Sequence, residues 1–395
     1  MPKQYFFEAG TFPDLSYTEL VTVLTSFGYG KEDITRYGDS IFLVQNEKLT
    51  DLAIRNIFKR LGGAIRVGEI VEDIDSFYAE SKKEGKFTFG VSVLGNTKRE
   101  DQSFLKKLGN GIKRELKESG ISSRFVLPIR KDYSLNAAQV IKNEILEKGF
   151  ELVIIRNKGQ EIYARTMEIQ DLEGFVSRDT QRPGSNLEMG VLPPKLARMM
   201  VNFTAFSSGT IWDPFCGSGT IPMEAAVLGF NFLASDIDPR AVEDTDNNVK
   251  WLYKEGYISE TLYQTFRFDI KKPDGEVVKK LKHTDIDAIV CEPFMGPPQT
   301  RILSESKAKE LLDDVKALYR KLFELIDNRL EKRGIRVVMI IPSYKTDKGW
   351  VTFGIRELVG KRWIVKNNEY SLGRDLKWRR KNSIITRNIY ILERS

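Results

Sequence analysis

One loop constrains this 395-residue chain more than any other feature: Asp213-Pro214-Phe215-Cys216-Gly217-Ser218-Gly219-Thr220. It follows a short apolar strand, expected over Thr210–Trp212, and opens a helix expected over Thr220–Leu228. Glycines at a strand-to-helix junction let the backbone approach a ligand without a Cβ clash. About twenty residues on, at the next strand end, stands Ala234-Ser235-Asp236-Ile237-Asp238, where a carboxylate can accept hydrogen bonds from both hydroxyls of a ribose. Asp236 is the expected ligand. Asp238 precedes Pro239 and reads equally as a helix N-cap. Beyond the loop the pattern alternates: strands at Phe232–Ser235, Thr265–Phe268, Ile286–Cys291 and Arg336–Ile341, helices at Pro239–Lys254 and Ser304–Lys332. Such alternation predicts an α/β fold with a mostly parallel, doubly wound sheet. Trp363 to Glu393 reads as two strands without a helix between them, which suits an antiparallel edge.

Several classes are excluded. The loop reads Gly217-x-Gly219-x-x-Pro222, not the G-x-G-x-x-G of dinucleotide binders. Two cysteines, Cys216 and Cys291, make neither a disulfide framework nor a cysteine-based zinc site. The only histidine, His283, lies in a polar run and reads as a solvated loop residue, so no metal centre is expected. The N-terminus lacks a signal-type apolar core and no run of about 18 apolar residues occurs, which predicts a cytoplasmic protein. A formal charge of +7 favours a polyanionic partner.

The N-terminal half is α+β. Strands are expected at Gln4–Glu8 and Ser40–Val44, a helix N-capped by Ser16 with Glu19 at the capping-box spacing, and a helix from Thr50-Asp51 to Lys59. Residues 86–170 repeat this logic. Strands fall at Lys86–Leu94 and Arg124–Leu127, helices at Phe104–Ser119 and Ser134–Lys148, and a hairpin turns at Asn157-Lys158-Gly159. Val176–Leu192, rich in Arg, Asp, Pro and Gly, reads as a linker.

The fourth strand of the C-terminal sheet runs into Glu292-Pro293-Phe294-Met295-Gly296-Pro297-Pro298. This resembles the D/N-P-P-Y/F loop of amino-methyltransferases, with Glu292 for Asp or Asn and Phe294-Met295 for Pro-Tyr/Phe. An exocyclic base amine is a poor nucleophile, because its lone pair is delocalised into the ring. A carboxylate or loop carbonyls accepting its N–H hydrogens stabilise the developing charge, and an aromatic ring can stack on the base. The loop at Asp213 likewise fits the methyltransferase pattern D-P-F-C-G-S-G-T.

With Tyr5-Phe6-Phe7-Glu8-Ala9-Gly10-Thr11-Phe12-Pro13-Asp14-Leu15-Ser16, and with Arg178–Gly184 through Leu192–Asn202, the chain resembles the THUMP-containing tRNA guanine-N2 methyltransferases, which act on the guanosine at position ten. The resemblance implies a ferredoxin-like domain over 1–80, a THUMP-like RNA-binding domain over 81–172 and a Rossmann-like class I methyltransferase domain over 173–395. It implies S-adenosylmethionine as cofactor, held by Asp213, Phe215, Cys216, Gly217, Gly219, Thr220, Asp236, Ile237 and Asp238, with Asp269 on the adenine amino group and Ile270 against its ring. Glu292, Pro293 and Phe294 are the expected catalytic residues. tRNA is the expected substrate. A DNA amino-methyltransferase and a catalytically decayed RNA-binding protein are the alternatives.

Two basic groups suit phosphate contacts. One is the tail cluster Arg374, Lys377, Trp378, Arg379, Arg380, Lys381 and Arg387, with Trp378 placed to stack on a base; a solvated edge hairpin explains it equally. The other is Lys195 and Arg198, on one helix face, for which plain solvation is the alternative.

Overall fold

The structure is a computed structural model that describes residues 2–72, 87–129, 132–184, 192–330, 332 and 334–395. The chain divides into two compact units: Met1–Tyr17 with Gly28–Glu173, and Thr18–Phe27 with Gly174–Ser395.

In chain order the first unit carries β1 (Gln4–Ala9), the start of α1 (Pro13–Ser26), β2 (Ile34–Arg36), β3 (Ile41–Gln45), α2 (Asp51–Arg60) and β4 (Ala64–Val71). There follow β5 (Phe87–Gly95), α3 (Asp101–Glu118), β6 (Ser123–Val126), α4 (Ala137–Lys142), α5 (Ile145–Lys148), β7 (Gly149–Asn157) and β8 (Gln160–Ile169). Among the described residues the strands form one eight-stranded sheet, ordered β2-β3-β1-β4-β8-β7-β5-β6. Strands from 1–80 and from 81–172 therefore share a sheet. Lys158 and Gly159 both take positive φ, 48° and 84°, the twist a two-residue hairpin demands.

Two helix expectations are corrected. Helix α1 starts at Pro13, with proline at its first position, so Ser16 is not its N-cap. The Ser16 hydroxyl instead donates to the Phe12 and Gly63 carbonyls from a buried position. The helix expected over Ser134–Lys148 is two short ones. Asn143 Nδ2 donates to the Gln139 carbonyl and Glu144 takes φ 51°, which ends α4 before α5 begins.

The second unit carries α6 (Leu172–Thr180), α7 (Pro194–Asn202), β9 (Thr210–Asp213), α8 (Thr220–Val227), β10 (Asn231–Asp236), α9 (Pro239–Lys254), β11 (Tyr263–Arg267), α10 (Gly275–His283) and β12 (Ala288–Cys291). It closes with α11 (Glu305–Arg329), β13 (Arg336–Thr346), β14 (Gly349–Val351), β15 (Trp363–Val365), α12 (Asn367–Tyr370), β16 (Lys377–Trp378) and β17 (Ile385–Arg394). The sheet order is β11-β10-β9-β12-β13-β17-β15. Strands β11 to β13 run parallel, and β17 enters antiparallel between β13 and β15. Side chains alternate across each strand. Phe232 and Ala234 of β10 therefore pack with Met223, Val249 and Leu252 on one face. Leu233 packs with Trp212, Tyr319 and Phe323 on the other.

His283 is exposed, but as the last residue of α10 rather than in a loop. The expected linker is built structure as far as Gly184. Val176–Thr180 belong to α6, Arg178 is buried, and the Gly184 N–H and carbonyl both bond the Asn248 amide. Its arginines suggest solvation in sequence, yet Arg178 and Arg182 are both buried, Arg178 paired with Glu224 and Arg182 donating to the Thr220 hydroxyl. Residues 185–191 lie outside the described set.

Candidate active site

Strand β9 has β10 on one side and β12 on the other, so the winding reverses there, and ligands bind beyond the carboxyl ends of strands at such a point. A cleft of about 1480 Å³ opens at this place. It is lined by Asp213, Phe215, Cys216, Gly217, Thr220, Asp236, Ile237, Asp238, Asp269, Ile270, Glu292, Pro293 and Phe294, which brings both expected halves of the site together.

The glycine loop is held by its neighbours. Gly217 and Gly219 have φ of 50° and 84°. A Cβ on Gly219 would come within 2.9 Å of Thr245, whereas one on Gly217 would meet nothing within 4 Å. Gly219 thus allows close packing on α9, and Gly217 keeps the floor of the cleft clear. Thr245 Oγ1 donates to the Gly217 carbonyl (2.9 Å), and Asn248 Nδ2 donates to that of Ser218 (2.7 Å). The Thr220 hydroxyl accepts from Arg182 Nη1 at 2.7 Å.

Asp236 braces the same loop: one oxygen accepts from the Gly217 N–H and the other from the Asp238 N–H, each at 3.0 Å. Each oxygen retains a lone pair for a ligand hydroxyl. Asp238 does cap α9, accepting from the Arg240 N–H at 2.9 Å, and it also lines the cleft. Asp269 accepts from the Lys271 N–H at 2.8 Å. Ile237 is 55% exposed and Ile270 buried, so Ile237 offers the larger apolar face. Asp213 is buried and accepts from the Phe215 N–H. Burial holds its carboxyl well above the usual carboxylate range, opposed by that hydrogen bond and reinforced by the charges of Asp236 and Glu292. Asp236 is also raised by burial.

The loop after β12 is fixed from behind. Tyr319 donates to the Phe294 carbonyl at 3.2 Å, and Tyr344 donates to the Met295 carbonyl. A Cβ on Gly296 would come within 2.3 Å of the Tyr344 hydroxyl, so glycine is required there. Phe294 is 56% exposed, which decides against its being a core residue. Glu292 has a partner the sequence did not suggest. Its carboxylate is held by Arg387 of β17, with Nε on one oxygen and Nη2 3.4 Å from the other. Burial pushes the Glu292 carboxyl up, and the guanidinium opposes this.

The basic groups fare differently from expectation. Arg198 is buried in an ion pair with Glu224, which Arg178 also engages, so it is not a phosphate ligand. Lys195 is half-buried, its ammonium 5.4 Å from the centre of the Phe175 ring. Trp378 is buried, with Arg387 and Arg380 over its ring at 5.0 and 5.4 Å, so it does not present a free face to a base. Lys377, Arg379 and Arg380 are exposed, and Arg379 lies over the part-exposed Trp350 ring at 4.8 Å. Arg387 leaves the expected phosphate-binding cluster for the cleft. Its pairing spans 95 residues and leaves no local signal. The same holds for Tyr319, Tyr344, Thr245 and Asn248.

Among the described residues no group of three or more His, Cys, Asp or Glu could hold a metal, and no helix is long and apolar enough to cross a membrane.

A family profile described as an RMKL-like methyltransferase domain matches residues 185–349. One described as a DNA methylase matches residues 100–247. A tRNA (guanine(10)-N2)-dimethyltransferase of Methanothermobacter thermautotrophicus is 30% identical over 206 residues, which are 52% of this chain and 50% of the relative. The enzyme of the same name from Methanocaldococcus jannaschii is 30% identical over 153 residues, 38% of this chain and 42% of the relative. The chain thus spans about half the length of the curated relatives it matches. The crystal structure of TrmN from Thermus thermophilus superposes with a TM-score of 0.53 at 13% identity, covering 99% of this chain and 100% of that one. The second unit has the Rossmann-like class I methyltransferase fold: a mostly parallel sheet, wound both ways from β9, with an antiparallel strand near one edge.

Proposed function

We propose that this protein transfers a methyl group from S-adenosylmethionine to an exocyclic base amine in RNA, with N2 of a guanosine in tRNA as the acceptor. The observation that carries this is the single cleft joining the Asp213–Thr220 loop to the Glu292–Phe294 loop. The names of the relatives matched support the choice of tRNA and of guanine N2.

The residues present fit the cofactor. Gly217 leaves clear space above the loop, Asp236 has acceptor capacity for ribose hydroxyls, Asp269 suits an adenine amino group, and Ile237 and Ile270 suit the ring. The acidic lining also suits a cationic sulfonium and its α-amino group. When bound, S-adenosylmethionine would supply an electrophilic methyl on a sulfonium, whose transfer to the amine nitrogen would break the S–C bond, leave a neutral thioether and release one proton from the nitrogen to solvent. This chain's own part is to position and polarise. The exposed Phe294 ring offers a surface for the base, and the loop behind it is fixed by two tyrosines, which favours preorganised approach.

The first unit, with its THUMP-like expectation over 81–172 beside a ferredoxin-like 1–80, takes the role of binding tRNA in this reading, and the exposed Lys377, Arg379 and Arg380 add phosphate contacts. The working compartment is the cytoplasm. The DNA-methylase profile ends at residue 247, before the Glu292 loop, and so bears on the cofactor half alone. Incubation with labelled cofactor, total tRNA and plasmid DNA tests the reading. Label enters the tRNA; label in the DNA alone contradicts it.

A further inference from the structure

The Glu292–Arg387 pair has features that a merely structural ion pair does not need. Both side chains line the cleft, in the same space as the exposed Phe294 ring. Both retain unused capacity. Arg387 has five N–H donors, of which Nε and one on Nη2 face Glu292. Each Glu292 oxygen accepts one of these contacts and keeps a further lone pair. The geometry is also locked. The Arg387 guanidinium packs over the buried Trp378 ring at 5.0 Å, and β17 is paired along its length to β13. The cleft therefore presents donors and acceptors side by side in a fixed order.

We propose that Glu292 and Arg387 together read the Watson–Crick edge of a guanine, Arg387 donating to O6 and Glu292 accepting from N1–H and N2–H. This rests on the guanosine-N2 reading above and deepens it to the two side chains that select that base. Guanine combines an exocyclic amine, a neighbouring ring N–H donor and an acceptor beyond it. In adenine and cytosine the ring nitrogen beside the amine is an acceptor, whose lone pair would face the Glu292 carboxylate. A site built to bond a substrate N–H rejects an analogue lacking it far more strongly than a shape-based pocket can, because its own polar groups are left unpaired. The departure of Glu292 from the Asp or Asn of the resembling loop fits this: the longer side chain reaches across to Arg387 on the neighbouring part of the sheet.

The test uses the full chain and a tRNA transcript whose methylated guanosine has been located, prepared also with 2,6-diaminopurine there. That base keeps the 2-amine but has an amine for O6 and an acceptor at N1. Wild type is expected to prefer guanine by about a hundredfold or more in kcat/KM. E292Q, which offers both a donor and an acceptor, and R387K, which keeps the charge but not the fork, should each bring the ratio below about tenfold. The ratio is taken within one preparation, so a variant that folds less well lowers both rates and leaves it unchanged. Equal use of both bases by wild type overturns the proposal. So does an undiminished preference in both variants. Absence of transfer to any guanosine by wild type overturns the functional reading itself, and this proposal with it.

Discussion

Asp213 is buried at the carboxyl end of β9, with Asp236 and Glu292 close enough to raise its carboxyl further. A raised folded-state value means that the protonated form is favoured in the fold. The resulting stabilisation is full below the unfolded carboxyl value and is lost as pH rises through the raised folded value. Asp213→Asn removes that titration while keeping the shape of the neutral acid. Its stability relative to wild type should therefore rise with pH from about 4 upward. Urea denaturation across that range measures this, and a difference independent of pH contradicts it. Among single residues the sequence was most legible where geometry rests on local backbone. The glycines, Asp236 and the cap at Asp238 could be read from their spacing, because each acts within its own loop or on the adjacent strand end. Glu292 could be found but not understood, because Arg387 reaches it from the far end of the chain. Trp378 and Arg198 were expected to meet base and phosphate, but Arg380 and Arg387 lie over the buried Trp378 ring and Arg198 is paired with Glu224 in the interior.

Among the elements, helices α6, α7 and α8 meet at one buried carboxylate. Glu224 of α8 accepts from Arg178 of α6 and Arg198 of α7 at 2.6 and 2.7 Å, and Phe175 covers both guanidinium groups. α8 is also the helix that the glycine loop opens, so the cluster connects the stretch before the second unit's sheet to that loop. Glu224→Ala leaves two buried cations without their partner and should cost about 3–5 kcal/mol. The midpoint of urea denaturation would show it; a loss below about 1 kcal/mol would mean that the arginines find other partners or water. The alternation from β9 to β13 was legible in outline, since strand and helix periodicities are local, and the bounds of α9 match their expectation residue for residue, whereas β2, β4, α6, α10 and α12 were not expected. What failed were local devices with competing chemistry. Asn143 ended a helix that the apolar pattern would have continued, and Pro13 started one before the apparent cap.

For the whole molecule, the doubly wound sheet followed from the alternation of strands and helices, but the single eight-stranded sheet of the first unit did not. Its central pairing, β4 with β8, joins Val71 to Tyr163, and no turn or loop signal encodes so distant a partner. As a catalyst the molecule is proposed to work through one cleft, with a cofactor on its glycine-loop side and a base amine at its Glu292 side. Nucleoside mass spectrometry of tRNA, digested after incubation with the full chain and isotope-labelled S-adenosylmethionine, tests it most directly. Label is expected in guanosine methylated at N2. Label in N6-methyladenosine or N4-methylcytidine, or tight cofactor binding with no methylated nucleoside in any RNA, would contradict it.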